Sequence, residues 1–261
     1  MLKLILNYPL FFLKTLGTFL ILKSTRPNIP KGDITFRWDR QYFRGDPSQD
    51  KLIHALYSKG WHEFFTSAIM DKFIKNGMTV LDVGAHLGWS SLYMARRVGP
   101  NGKVLAFEPS KVLAPYLKEN ISINEYQNIQ VYDKALIEKD TDMDIAHSKI
   151  HSSSGSSKVA CTTFDKFFYT NSSLDKIDFV KIDIEGFEMG CLIGMSAFLL
   201  SNKPLITVEV HGSFLQEFGY TAKDVINFLE GFSYKIVYSE TIDEHELIST
   251  QKHFHILALP F

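Results

Sequence analysis

The run Val180-Lys181-Ile182-Asp183-Ile184-Glu185-Gly186 sets a cation and two carboxylates two residues apart, and Glu209-Val210-His211 repeats that spacing with a carboxylate and an imidazole. In an extended strand, residues two apart share a face. Lys181 therefore lies beside Asp183 and can hold it ionised, and Glu209 and His211 reach the same edge. Groups of this kind move protons. A carboxylate of pKa about 4 is a weak base for an alcohol unless burial or a hydrogen bond to the attacking hydroxyl helps it, whereas imidazole, at about 6.5, is better matched. Asp183 is the first candidate base, His211 the second, and Lys181 the group that supports Asp183. A purely structural His211 capping the next segment is the alternative. Asp183, Glu209 and His211 could also collect a divalent cation, but no further ligand stands at an informative spacing, so no metal site is assigned.

A second group surrounds a Gly-rich turn. Thr79-Val80-Leu81-Asp82-Val83 is apolar as a strand buried on both faces must be, and Gly84-Ala85-His86-Leu87-Gly88-Trp89 follows it. Gly84 and Gly88 let the backbone approach a ligand, and the first turn of the next helix offers unpaired N–H groups to a carboxylate. A nicotinamide dinucleotide site wants G-x-G-x-x-G. Here the two glycines are separated by three residues and the third is missing, which argues against an oxidoreductase. The next apolar run ends in Phe107-Glu108-Pro109, where Glu108 can accept hydrogen bonds from both hydroxyls of an adenosine ribose.

These residues need elements to place them. The spacing predicts strands over 79–83, 103–107, 129–132, 179–182 and 205–210, alternating with helices over 89–98, 113–120, 163–169, 189–200 and 222–229. Such alternation calls for a Rossmann-like, doubly wound α/β sheet. Residues 234–238 and 253–259 close the chain as two β-type runs without a helix between them, which implies an antiparallel final pair. Upstream, residues 47–74 carry apolar residues near helical spacing with Gly60 between two helices, and 26–42 read as linker and cap rather than core. The organisation expected is an apolar segment over 1–25, a linker and helical cap over 26–75, and a ligand-binding domain over 76–261. The Ser-rich stretch 148–158 reads as a mobile lid or a featureless flexible loop.

The chain has 261 residues, 28 Lys and Arg against 29 Asp and Glu, and a net charge of -1. That balance gives no long-range attraction to a polyanion, so nucleic acid is not an expected partner. The two cysteines, Cys161 and Cys191, form no CxxC pair, which fits reduced thiols in a cytoplasmic protein. From Leu2 to Leu22 the chain is almost wholly apolar. A spanning helix would put Lys14 near mid-bilayer at about 2.5–3.5 kcal/mol, and no small-residue cleavage site marks a signal peptide. Lys3, Asn7, Lys14 and Thr18 fall on one helical stripe, the pattern of an interfacial helix. A membrane-surface contact is one reading. A helix that packs on the domain or on a second subunit, shortened by Pro9, is the other.

The motifs Val80-Leu81-Asp82-Val83-Gly84-Ala85-His86-Leu87-Gly88-Trp89, Ala106-Phe107-Glu108-Pro109, Asn120-Ile121-Ser122-Ile123-Asn124 and Ile177 through Glu188 together resemble the FkbM family of methyltransferases. The resemblance covers roughly residues 60–210. It implies a seven-stranded sheet, S-adenosylmethionine as methyl donor, and O-methylation of a hydroxyl on a glycan, a lipid-linked saccharide or a small metabolite. Carried onto this chain, it implies donor contacts from Asp82, Gly84, His86, Gly88, Trp89, Glu108, Pro109, Asn124 and Glu185. His86 departs from the family, which commonly carries Asn there. Gly60-Trp61-His62-Glu63 resembles the family's aromatic–Glu entry, where Glu63 can approach the donor; a Glu favoured by a helix dipole is the alternative. Asn120 and Asn124 either bridge strands near the adenine or cap a helix. A donor-binding, membrane-tethered assembly protein without catalysis is the rival reading from another class.

Overall fold

The computed structural model describes residues 28–60, 62–146, 156–239 and 252–261. The apolar segment 1–22, Trp61 and most of the Ser-rich stretch lie outside them. The chain enters the fold through a hairpin, β1 (Ile34–Trp38) and β2 (Gln41–Gly45), paired antiparallel. Its two-residue turn, Asp39-Arg40, has positive φ at both positions, 40° and 69°, the handedness that suits the twist of a tight hairpin. Arg96 holds the turn by donating to the Asp39 carbonyl and carboxylate, both at 2.6 Å.

The expectation that residues 26–42 are linker rather than core is corrected here. Phe36, Trp38 and Phe43 are buried and pack in one cluster with Val80, Leu92 and Val104 of the main domain. Alternation is the reason: Phe36 and Trp38 face inward while Thr35 and Arg37 face solvent, and three aromatics in a short polar run read as a linker until the hairpin folds them onto one side.

Next come α1 (Lys51–His54), capped by Asp50, a π-helical turn ending at Gly60, and α2 (Phe64–Phe73). Then β3 (Thr79–Val83), α3 (Trp89–Val98), β4 (Lys103–Phe107), α4 (Leu113–Ile123) and β5 (Ile129–Tyr132) follow as the periodicity predicts. A small sheet that the periodicity does not show intervenes: β6 (Ala135–Leu136), β7 (Thr141–Ala146) and β8 (Ser156–Thr162), with β8 in the middle. After α5 (Phe164–Thr170) and β9 (Phe179–Ile182), the single helix expected over 189–200 is two, α6 (Glu188–Ile193) and α7 (Ser196–Asn202). Gly194 lies at the break, where an added Cβ would stand 2.1 Å from the Ile137 carbonyl oxygen, so the chain bends around a crossing backbone. The remainder is β10 (Leu205–His211), α8 (Gly212–Glu217), α9 (Ala222–Gly231), β11 (Tyr234–Tyr238) and β12 (His253–Pro260).

Seven strands form one sheet in the order β11-β12-β10-β9-β3-β4-β5. β12 is antiparallel to both its neighbours. The chain winds outward from β3 to β5 and then returns to place β9 on the other side of β3, so the topological switch point lies between β3 and β9. Ligands bind at the carboxyl ends there. Register aligns Asp82 with Lys181, Lys181 with Thr207, Glu209 with His255 and His211 with His253. A polar band thus crosses one face of an otherwise apolar sheet. Cys161 and Cys191 are both free and buried.

Two amide side chains on α4 hold the hairpin to the domain. Asn120 accepts from Arg44 N at 2.7 Å and donates to Arg44 O and Leu87 O at 3.3 and 2.8 Å. Asn124 does the same for Tyr42, at 2.7 Å in both directions, and donates to Asn120 O. One helical turn of asparagines thereby supplies β2 with the ladder partner that a neighbouring strand would give. Replacing the fully buried Asn120 by Ala should cost about 1–3 kcal/mol through unpaired backbone groups, and Asn124→Ala less because its site is partly wet. Urea unfolding of both variants checks this; losses within error of wild type for both would show the amides to be idle.

Candidate active site

The loop after β3 is fixed by backbone geometry. Gly84 and Ala85 each donate to Phe107 O at 3.0 Å, and Gly84 has φ 84°. A Cβ at Gly84 would stand 1.9 Å from the Asp183 carbonyl oxygen, so no side chain can be accommodated while the two loops remain where they are. His86 at φ 52° and Gly88 at φ 97° turn the chain into α3. His86 Nε2 lies 3.5 Å from the Asp50 carboxylate.

Asp82 stands beneath this loop with no exposed surface. Its Oδ2 accepts from Ser90 Oγ at 2.7 Å and Ser91 Oγ at 2.5 Å, joining β3 to the first turn of α3. Glu108, at the end of β4, accepts from His86 N and Ser110 N, both at 2.8 Å. Burial pushes its carboxyl up to about 7, against the pull of those two N–H groups. Each oxygen of a carboxylate has a further lone pair, which a ribose hydroxyl can use.

Across the switch point, Lys181 is buried with its Nζ 3.1 Å from Asp183 Oδ2 and 3.7 Å from Asp82 Oδ1. Burial opposes its charge, but Asp183, Asp82 and Glu63 hold the ammonium well above its ordinary range. The expected service of Lys181 to Asp183 is thus geometrically in place. His211 is 4% exposed, with Nδ1 2.7 Å from Glu188 Oε1 and Nε2 3.8 Å from Asp183 Oδ1 and 3.7 Å from Glu209 Oε1. Burial would lower its pKa, but Glu188, then Asp183 and Glu209, raise it to about 9. The ordinary imidazole value that made His211 attractive as a neutral base therefore does not apply: at neutral pH the ring is a cation that donates. Glu209 is pushed up to about 8 by burial and then by Asp183 and Glu63.

Glu63 opens α2 at φ 41°. Burial opposes its charge, yet the His62 ring, 2.8 Å away, holds the carboxyl well below the usual range. Glu185, at φ 48° in the turn after β9, is exposed, and partial desolvation of its carboxyl raises it.

The structure brings Asp183, Lys181, His211, Gly84, His86, Gly88, Glu108, Pro109, Glu63 and Glu185 to the carboxyl edge of the sheet or to the loops on it. Three expected donor residues already have partners within the protein. Asp82 Oδ2 is taken by Ser90 and Ser91, while its Oδ1 faces Lys181 Nζ at 3.7 Å. Trp89 is 3% exposed, its ring packed edge-on to His62 and tilted against Tyr93. Asn124 has spent both amide hydrogens on backbone carbonyls. Sequence reasoning missed Glu188, which is fully buried under His211, and His253 and His255 on β12. The alternating His-x-His of the last strand was the available signal; it acquires meaning only once β12 is paired to β10.

A family model described as the methyltransferase FkbM domain matches residues 82–236. The chain belongs to the FkbM methyltransferase family. Among solved structures, a putative rRNA methylase from Clostridium thermocellum is similar over 74% of this chain and 92% of its own, at 15% identity and a TM-score of 0.50. A methyltransferase FkbM from Methylobacillus flagellatus KT is similar over 96% of this chain and 60% of its own, at 13% identity and a TM-score of 0.47. At its identity the first of these establishes a shared fold and nothing further.

As an FkbM methyltransferase, the chain uses S-adenosylmethionine, and its residues fit that donor. The glycine at 84 lets the loop after β3 close against the Asp183 main chain, Glu108 can take ribose hydroxyls, and the carboxylates of Glu63, Asp183 and Glu185 would favour a cationic sulfonium and amino group. When bound, the donor supplies an electrophilic methyl on sulfur. Gly84→Ala should abolish binding of S-adenosylhomocysteine in calorimetry and lower the melting temperature; wild-type values for both would show that the two loops can separate freely. Because burial holds Glu108 at about 7, its ionised, doubly accepting form grows as pH rises through 7. Affinity for S-adenosylhomocysteine should therefore tighten from pH 6 to 8 in wild type, and should lose that slope in Glu108→Gln; parallel pH profiles would remove Glu108 from the ribose site.

Proposed function

We propose that this FkbM methyltransferase transfers the methyl group to a hydroxyl oxygen of a glycan, a lipid-linked saccharide or a small metabolite. The observation that carries the reading is Asp183. Its neighbours Lys181, Glu188 and His211 have side chains 0–5% exposed, whereas Asp183 is 23% and Glu209 19% exposed; of these two acids Asp183 is the one packed against the Gly84 loop at the switch point, where an incoming hydroxyl meets the donor. Lys181 Nζ keeps one carboxylate oxygen occupied at 3.1 Å. The other faces His211.

Methyl transfer from a sulfonium is an in-line displacement, and most of its acceleration comes from aligning acceptor oxygen with methyl carbon. A positioned carboxylate that removes the hydroxyl proton adds about 10²–10⁴. The chain's own contribution is a rigid mouth: Gly84 fixes the donor loop against Asp183, and the ion pair with Lys181 fixes the carboxylate. The net charge of -1 favours a neutral or small acceptor over nucleic acid. A cytoplasmic location, with residues 2–22 against a membrane surface that holds the acceptor, is part of this reading and rests on the sequence of that segment. Among the described residues no helix is long and apolar enough to cross a membrane.

Asp183→Ala should lower methyl transfer by about 10²–10⁴ while the dissociation constant for S-adenosylhomocysteine stays within about threefold. The assay is donor consumption with panels of free glycans, lipid-linked saccharides and hydroxylated metabolites, with products identified by mass spectrometry. Loss of donor binding together with turnover would make Asp183 a donor ligand rather than the proton acceptor. Methylated products on nitrogen alone would overturn the hydroxyl reading.

A further inference from the structure

Because β12 runs antiparallel to β10, its first residues arrive at the carboxyl edge of the sheet. Glu209-Val210-His211 on one strand faces His253-Phe254-His255 on the other, with Glu209 opposite His255 and His211 opposite His253. Residues two apart on a strand share a face, so the four polar side chains form a square on one side of the sheet. Ligand atoms of Glu209, His211 and His253 all lie within 4.8 Å of one another. We propose that Glu209, His211 and His253 bind one divalent first-row transition-metal ion beside Asp183.

Ligand atoms about 2.0–2.2 Å from an ion stand roughly 3 to 4 Å from each other. His211 Nε2 is 3.7 Å from Glu209 Oε1 and 3.8 Å from Asp183 Oδ1. The ring of His211 is oriented as a ligand, its Nε2 proton being the one the ion displaces: Nδ1 is held at 2.7 Å by Glu188, and Glu188 is in turn held by Gly186 N at 3.0 Å. A carboxylate on the far ring nitrogen fixes tautomer and direction at metal sites. Asp183, Glu188 and Glu209 all lie within 3.8 Å of the His211 ring nitrogens, an acidic setting that favours a bound cation. Two imidazoles in the set favour a transition metal over Mg²⁺ or Ca²⁺.

A second triad, Glu63, Glu209 and His255, shares Glu209. Its members are more enclosed: Glu63 is engaged by His62 at 2.8 Å and His255 by Thr66 at 3.2 Å. His253 is exposed, which gives the first triad an entry path and an open side toward solvent. On the hydroxyl-acceptor reading, that open side takes the acceptor oxygen, and the ion lowers the pKa of the bound hydroxyl next to Asp183. Three protein ligands with open positions are the pattern of a catalytic rather than a structural ion.

The test uses the full chain after chelator treatment, in equilibrium dialysis against Zn²⁺ and Co²⁺, with metal content by mass spectrometry and the Co²⁺ visible spectrum as readouts. One equivalent should bind. Glu209→Gln and His253→Ala should each weaken it at least about tenfold, while His255→Ala stays within about threefold. Donor binding measured on the same samples separates this proposal from the methyltransferase assignment, and metal content is read without any acceptor. Absence of saturable binding in protein that still binds S-adenosylhomocysteine overturns the site. Loss in His255→Ala with retention in His253→Ala overturns the assignment of ligands and moves the ion to the second triad.

Discussion

The contact on which the remaining geometry depends is the crossing of two backbones at Gly84 and Asp183. A methyl group at Gly84 would lie 1.9 Å from the Asp183 carbonyl, and Asp183 N donates to Val83 O at 3.0 Å. The loop that cradles the donor and the strand end that carries the acid are therefore one rigid piece. Their separation is set by van der Waals contact between main chains, which cannot be adjusted by rotating a side chain. Donor and acid are positioned by the same constraint.

Charge is arranged around that crossing with unusual economy of contact. Lys181 is almost fully buried between Asp82 and Asp183, and removing any one member leaves an uncompensated charge in the interior. Asp82 cannot be exposed without releasing Ser90 and Ser91 from the first turn of α3. The ion-paired band thus both steadies the loop and fixes the direction of the acid at the mouth.

The sheet was legible in the sequence because its central strands are continuous apolar runs flanked by helical periodicity, and each was placed within a residue or so. The hairpin of β1 and β2 was not, because a short strand of alternating polar and aromatic residues resembles a linker, and only its docking on α4 reveals which aromatics turn inward. Asn120 and Asn124 could not be read as main-chain partners for the same reason: their meaning depends on an element 76 and 82 residues away. Lys181, Asp183 and Glu108 were readable from strand alternation and strand ends. His253 and His255 were visible as residues but not as neighbours, since cross-strand register is a property of the pairing and not of either strand. The ordinary pKa of imidazole misled about His211 because Glu188, 23 residues earlier, sits under the ring.

The reversed direction of β12 has a consequence for the timing of folding. The polar square at the sheet edge is half built from residues 209 and 211 and half from 253 and 255, and the second half comes late in synthesis. The edge of β10 stays open until then. The polar square therefore exists only once β12 is paired to β10, and any change that weakens that pairing opens the site at its edge.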